Sequence, residues 1–193
     1  MRVLLIFAHP VEASYGAAIK ARAVEALRGR HEVDLLDLYA EAFAPALSRA
    51  ERLGYHAVPS NQIPVAAYVE RLRRAEALVL CFPTWIFGPP AILKGFFDRV
   101  FLPDVAFELL PNGKARGALT NIRKVAGIVT YGQTRWVNFL MGDYPRRFVT
   151  RYLPRTAGGH ARARFLAHYD MNRSTDETRA RFLDRVTREM KRF

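Results

Sequence analysis

Two short stretches, Val3-Leu-Leu-Ile-Phe-Ala8 and Ala77-Leu-Val-Leu-Cys-Phe82, are apolar at every position. A strand without a polar side cannot lie on a sheet face that meets water. It has to be covered on both faces, as strands are in parallel sheets flanked by helices. This places a first strand at Arg2–Ala8 and a third at Glu76–Phe82. Helical patterns separate the runs, and alternation of strand and helix is the pattern of an α/β fold.

The remaining elements follow from spacing. Ser14 is a fitting helix cap, Ile19, Ala23 and Leu27 recur at helical intervals, and Gly29 closes that helix. Val33 and Leu35 belong to a second strand ending near Leu38. The proline-bearing stretch 40–64 reads as a long irregular connection, and Val65 to Arg74 as a helix. Pro90 suits the first turn of a helix running to about Phe101. Residues 103–121 read as an excursion that turns at Pro111-Asn112-Gly113. Lys124–Thr130 is the fourth strand, 136–151 a helix, and Ala163–Tyr169 the fifth strand. Ser174 and Glu177 stand at capping-box spacing before a last helix that lines up Phe182, Val186 and Met190, with Leu183 beside them. Right-handed crossovers join five such strands into a doubly wound sheet of order 2-1-3-4-5, with helices on both faces. The 193 residues form one domain, 1–193, with no repeat or break in composition. A dinucleotide-binding half-pair would carry Gly-x-Gly-x-x-Gly after its first strand; here the loop is Ala8-His-Pro-Val-Glu-Ala-Ser-Tyr-Gly16, with one glycine at its end.

Several function classes fall away. No apolar run approaches the roughly 18 residues of a membrane helix, and the first residues show no secretory pattern, so membrane insertion is not expected and a cytoplasmic location is. The single cysteine, Cys81, sits inside an apolar strand and reads as a small core residue. The five histidines are scattered without metal-ligand spacing, and neither a Gly-x-Ser-x-Gly elbow nor a Walker loop occurs. Asp98, Asp104 and Asp143 form no carboxylate pair and read as surface or helix-end acids. The net charge of +12 invites anionic partners. Yet the cations are spread along the chain, and the densest set, Arg179, Arg181, Arg185, Arg188, Lys191 and Arg192, reads as the solvated side of the last helix. Nucleic acid is therefore not the expected partner; the charge is expected to help attract a small molecule that carries several phosphates.

In doubly wound sheets ligands sit beyond the carboxyl ends of the strands, where the strand order reverses. That rule selects loops 8–16, 83–90 and 130–136. The first enters a helix N-terminus, whose free N–H groups and dipole suit a phosphate, with Ser14 and His9 as further donors. The second holds Trp85, Ile86 and Phe87 between prolines 83, 89 and 90, a stiff apolar segment that can wall an aromatic ring or pack against protein. The third, Thr130-Tyr-Gly-Gln-Thr-Arg-Trp136, offers hydroxyls, an amide and glycine backbone to a polar ring edge.

The block Phe82-Pro-Thr-Trp-Ile-Phe-Gly-Pro-Pro-Ala-Ile-Leu-Lys-Gly-Phe-Phe-Asp-Arg-Val-Phe101 resembles the signature of the NAD(P)H quinone dehydrogenase family with a flavodoxin-like fold. That family includes the modulator of drug activity B proteins and the ancillary quinone reductases of potassium efflux systems. Ala8-His-Pro with Ser14-Tyr15 resembles its first loop, and Thr130-Tyr-Gly its Thr-Thr-Gly-Gly segment. The resemblance implies a non-covalent flavin, FAD or FMN, reduced by NAD(P)H and reoxidised by a quinone-like small molecule in ping-pong fashion. It also implies a homodimer with its active site at the interface. Carried over by position, His9, Ser14, Tyr15 and Gly16 hold the phosphate end. Pro83, Thr84, Trp85, Ile86 and Phe87 line the ring, and Thr130, Tyr131, Gly132 and Gln133 reach its polar edge, while Lys94 and Phe97 support the loop. There are departures. Ile86 stands where the family often has tryptophan, and 135–141 lacks the histidine that handles protons in better-known members, so no proton relay is assigned. The long C-terminal extension of the larger members is also missing. The rival reading is a flavin-binding regulatory or electron-carrier subunit without quinone turnover.

Overall fold

A computed structural model describes residues 1–193. In chain order the elements are β1 (Arg2–Phe7), α1 (Tyr15–Arg28), β2 (Glu32–Asp37), α2 (Arg49–Leu53), a 3-10 turn (Ser60–Val65) and α3 (Ala66–Arg74). There follow β3 (Ala77–Pro83), α4 (Ala91–Val100), β4 (Phe107–Leu109), β5 (Ala115–Gly117) and β6 (Lys124–Thr130). The chain closes with α5 (Arg135–Leu140), α6 (Tyr144–Arg147), a π turn (Phe148–Tyr152), α7 (Leu153–Thr156), β7 (Arg162–His168), a 3-10 turn (Met171–Arg173) and α8 (Asp176–Lys191). The main sheet has order β2-β1-β3-β6-β7, all parallel, which is the expected 2-1-3-4-5 once the separate β4–β5 hairpin is set aside.

The two all-apolar strands are central, and alternate residues feed opposite cores. Leu4, Ile6, Leu78, Leu80 and Phe82 meet α3, α4 and the segment around Val149 and Leu153. Val3, Leu5, Phe7, Val79 and Cys81 meet α1 and α8. Cys81 is buried, as its neighbours in sequence suggested. Three glycines are required by close approach, among them Gly117 of β5, where a Cβ would lie 2.0 Å from the Arg155 carbonyl oxygen. A Cβ on Gly95 of α4 would lie 2.2 Å from the Pro45 carbonyl oxygen, and one on Gly127 of β6 would lie 2.8 Å from a Val149 methyl. Glycine at these points lets the 43–47 segment rest on α4 and the π turn rest on the sheet.

Four local expectations need correction. The connection 40–64 is not irregular throughout: Ser48 caps α2 in a capping box with Glu51, and a 3-10 turn precedes α3. The prolines on either side masked that four-residue signal. The helix over 136–151 is broken, because Gly142 (φ +86°) and Asp143 (φ +40°) adopt left-handed backbone and end α5. Thr175, not Ser174, caps α8, with Thr178 completing the capping box. The Ser174 hydroxyl is already donating to the Met171 carbonyl at 2.9 Å. Pro90 occupies the cap of α4 rather than its first turn.

Candidate active site

Parallel register sets Phe7 beside Cys81 and Pro83 beside Thr130, so β1, β3 and β6 release the chain along one edge. Backbone bonds then tie the departures together. Ala8 N–H donates to Cys81 O at 3.1 Å, Thr84 N–H to Thr130 O at 2.8 Å, and Tyr131 N–H to His168 O at 2.8 Å. Thr84 Oγ1 adds a second bond to Thr130 O at 3.2 Å. The three loops selected by the sheet rule are neighbours in space.

The first loop runs into the N-terminus of α1. Ser14 Oγ caps α1 by accepting the Ala17 N–H at 3.1 Å. The N–H groups of Tyr15 and Gly16 find no acceptor in the chain and stand at the positive end of a 14-residue helix. The His9 ring rests against the first turn of α1, 3.5 Å from where a Cβ on Gly16 would lie. His9 Nδ1 accepts the Val11 N–H at 3.0 Å. The neutral ring therefore carries its proton on Nε2, and that N–H remains to donate. The Tyr15 hydroxyl points elsewhere: it donates to Arg179 O at 2.9 Å, and burial pushes the phenol up to about 12. Of Tyr15, only the backbone N–H is left unpaired at this helix end.

The second loop is a tight reversal. Trp85 N–H donates to Gly88 O at 2.9 Å and Gly88 N–H to Trp85 O at 3.1 Å. Between them Ile86 (φ +49°) and Phe87 (φ +60°) are both left-handed, the pattern of a type I′ turn, where Asn-Gly is the usual pair. A β-branched residue there is a backbone outlier and costs about 1–2 kcal/mol. The strain turns the Ile86 side chain out to 97% exposure and leaves the Ile86 and Phe87 N–H groups without acceptors in the chain. The Trp85 ring meets His9 edge-on at 6.1 Å, which joins this loop to the first.

In the third loop Thr130 closes β6 and Tyr131 turns inward. Its side chain is fully buried and its hydroxyl donates to Asp143 Oδ1 at 2.7 Å. Burial first, and the bond to Asp143 second, push that phenol far above its ordinary value, so it is a permanent donor. Gly132 passes close to Asn172, and the Gln133 carbonyl accepts from Asp170 N–H at 3.0 Å and from Asn138 Nδ2 at 3.1 Å. The Gly132 and Gln133 N–H groups have no acceptor in the chain. Asp143 also accepts from Arg146 Nε at 2.9 Å, and an Arg146 terminal nitrogen donates to the Tyr169 hydroxyl at 2.8 Å. The acid read from sequence as a surface or helix-end residue is thus the hub that fixes the third loop to α6 and to the chain beyond β7. The Gly142-Asp143 pair, a turn signal inside a helical pattern, marked the place.

No group of three histidine, cysteine, aspartate or glutamate side chains could hold a metal ion. A cavity of about 830 Å³ lies away from the three loops, between α4 and the segment 144–155. At the loops themselves Trp85 and Ile86 are exposed, beside the unpaired N–H groups at the start of α1.

The chain belongs to the flavodoxin-like fold family, which matches residues 1–192. Within it, the chain is similar to NAD(P)H quinone oxidoreductases. It is 36% identical to the guinea pig (Cavia porcellus) NAD(P)H dehydrogenase [quinone] 1 over 148 residues, covering 68% of this chain and 54% of the relative. The chain thus spans about half the length of the curated relatives it matches. A solved NAD(P)H:quinone oxidoreductase from Methanothermobacter marburgensis superposes with a TM-score of 0.84 at 26% identity, covering 99% of this chain and 96% of that one. A crystal structure from Streptococcus mutans UA159 superposes with a TM-score of 0.86 at 27% identity over 100% of both chains. No helix is long and apolar enough to cross a membrane.

Proposed function

We propose that this protein is a flavin-dependent NAD(P)H:quinone oxidoreductase. The observation that carries the reading is the meeting, at one sheet edge, of an anion seat and a strained apolar ledge with unpaired N–H groups. A ring with an anionic tail and a polar rim needs these three features together. The residues present fit a flavin, FAD or FMN. The Tyr15 and Gly16 N–H groups, with Ser14 and His9 beside them, hold the phosphate. Pro83 to Phe87 form the wall for the ring, and the N–H groups of Gly132 and Gln133 serve its polar edge, with Thr130 alongside. When bound, a flavin accepts hydride from NAD(P)H and passes it to a quinone in two alternating half-reactions. The protein's share is orientation and exclusion of water, and no side-chain acid or base is called on.

The names of the relatives support the choice of NAD(P)H and quinone as substrates. An exposed apolar ridge on α5 beside the third loop, made of Trp136, Phe139, Leu140 and Met141, is the surface on which a second copy of the chain would complete a homodimer. The test begins with the purified protein: release of its cofactor and identification by mass, then anaerobic stopped-flow mixing with NADPH followed by a quinone. Bleaching of the flavin by NADPH and its recovery with quinone is the expected result. A flavin that stays oxidised, or one that is reduced and not reoxidised by any quinone, overturns the assignment.

A further inference from the structure

The large cavity beside α4 is built for an anion. Arg147, Arg151 and Arg155 recur every fourth residue, and the helical segment brings all three onto one wall, with Arg52 joining from α2. None of the four makes a hydrogen bond or ion pair through its guanidinium, although nearby arginines such as Arg99 and Arg146 are paired with acids. The one carboxylate on the wall, Asp98, is held by Lys94 one helical turn away. Like charges at such spacing repel, so this wall lacks its counter-charge. The floor is aromatic: Phe148 stacks on Tyr152 with centroids 4.9 Å apart. These two residues bound a π turn, a local widening found often at functional sites.

A second cavity of about 350 Å³ shares Arg147 and Arg151 with the first and adds Arg135 and Arg146. Arg135 directly follows Thr134 at the end of the third loop, and Arg146 is tied through Asp143 to Tyr131. A cationic track therefore runs from the proposed flavin edge into the aromatic cavity. Its occupant needs several negative charges and a flat apolar group, and has to reach the site where hydride is handed over. The phosphorylated adenosine half of NADPH has that chemistry.

We propose that the track formed by Arg135, Arg147, Arg151 and Arg155 binds the 2′-phosphoadenosine end of NADPH and makes the enzyme prefer NADPH to NADH. This rests on the oxidoreductase reading above. The third phosphate, absent from NADH, gains charged hydrogen bonds from guanidinium groups that otherwise have no anion. One such bond corresponds to about a 10- to 100-fold preference.

Calorimetric titration of the flavin-loaded protein with adenosine 2′,5′-bisphosphate, against ADP, tests the site without any turnover. The bisphosphate is expected to bind at least about tenfold tighter. The double variant Arg147→Ala/Arg151→Ala should remove that margin and lower kcat/KM for NADPH about tenfold more than kcat/KM for NADH. Both arginines are exposed, so the fold should tolerate the change, and Arg151→Lys should recover part of the effect. Equal affinity for the two nucleotides overturns the proposal. So does a double variant that keeps the preference, or one that alters only the oligomeric state. If the bisphosphate binds in an arginine-dependent way but neither NADPH nor NADH reduces the flavin, the anion site stands and the oxidoreductase reading falls.

Discussion

Replacing Asp143 with asparagine removes one charge and one of two acceptor oxygens while keeping the side chain's size. The amide matches the carboxylate in size, still offers an oxygen to the Tyr131 hydroxyl, and tolerates the left-handed backbone at φ +40°. What is lost is the charge facing Arg146 and the Oδ2 acceptor, because the amide nitrogen that replaces it cannot take the Arg146 Nε–H. The Asp143 side chain is 12% exposed and that of Arg146 39%, so the pair lies between two limits. Surface pairs contribute up to about 1 kcal/mol, and breaking a sealed pair costs about 3–5 kcal/mol. A loss of about 1–2 kcal/mol is expected for the asparagine variant. Alanine costs more, because the buried Tyr131 hydroxyl then loses its acceptor, a further penalty of about 1–3 kcal/mol and a total of about 2–5. Urea denaturation reads both steps. With a slope of about 1–3 kcal/mol per molar, the midpoint should fall by roughly 0.5–1 M for asparagine and roughly 1–2 M for alanine. Two variants with the same midpoint would refute the reasoning, since Tyr131 would then not depend on Asp143. The order should repeat in flavin retention, because the third loop loosens as its hub weakens.

Other positions yield sharp outcomes. Ile86→Asn relieves the left-handed strain at a fully exposed side chain and should stabilise the fold by up to about 1 kcal/mol while weakening flavin binding; thermal melts with and without added flavin separate the two effects. Gly95→Ala drives a Cβ into the Pro45 carbonyl and should cost about 1–3 kcal/mol, read as a lower melting temperature. Burial first, and the charge of Arg179 second, hold His168 below its ordinary 6.5, and its Nδ1 is buried without a partner. The unfolded chain then binds more protons than the native one. The stability this gives is complete above about pH 6.5 and is lost as pH falls through the depressed native value. His168→Phe, which keeps the stack on Phe182, should flatten the acid limb of a denaturation–pH profile.

The central architecture was legible because it rests on burial. Runs such as Val3–Ala8 and Ala77–Phe82 have one way to hide both faces, and that fixes a parallel sheet. The edge proposed for the site followed from topology, and the loops it selected do meet. Geometry that depends on partners distant in sequence was not legible. Asp143 gains its role from Tyr131 and Tyr169, residues 12 and 26 positions away, and no local pattern encodes that convergence. The left-handed Ile86 violates the preference of its own residue type, so reading residue by residue points away from the observed turn. The arginine wall was also hidden. Net charge alone says nothing about which cations lack partners, and a π turn in the middle of the run disturbs ordinary helical counting.

The lone thiol, in the middle of β3, has a practical consequence. Cys81 is flanked by Phe7 on one side and Ile128 on the other, and burial pushes its thiol up to about 12. At neutral pH almost no thiolate is present, and no reagent can reach the sulfur unless β3 parts from its neighbours. The unaltered chain therefore carries a timer for its deepest opening, read as the rate at which a thiol reagent is consumed. Any cysteine placed on its surface can be labelled alone, against a silent background.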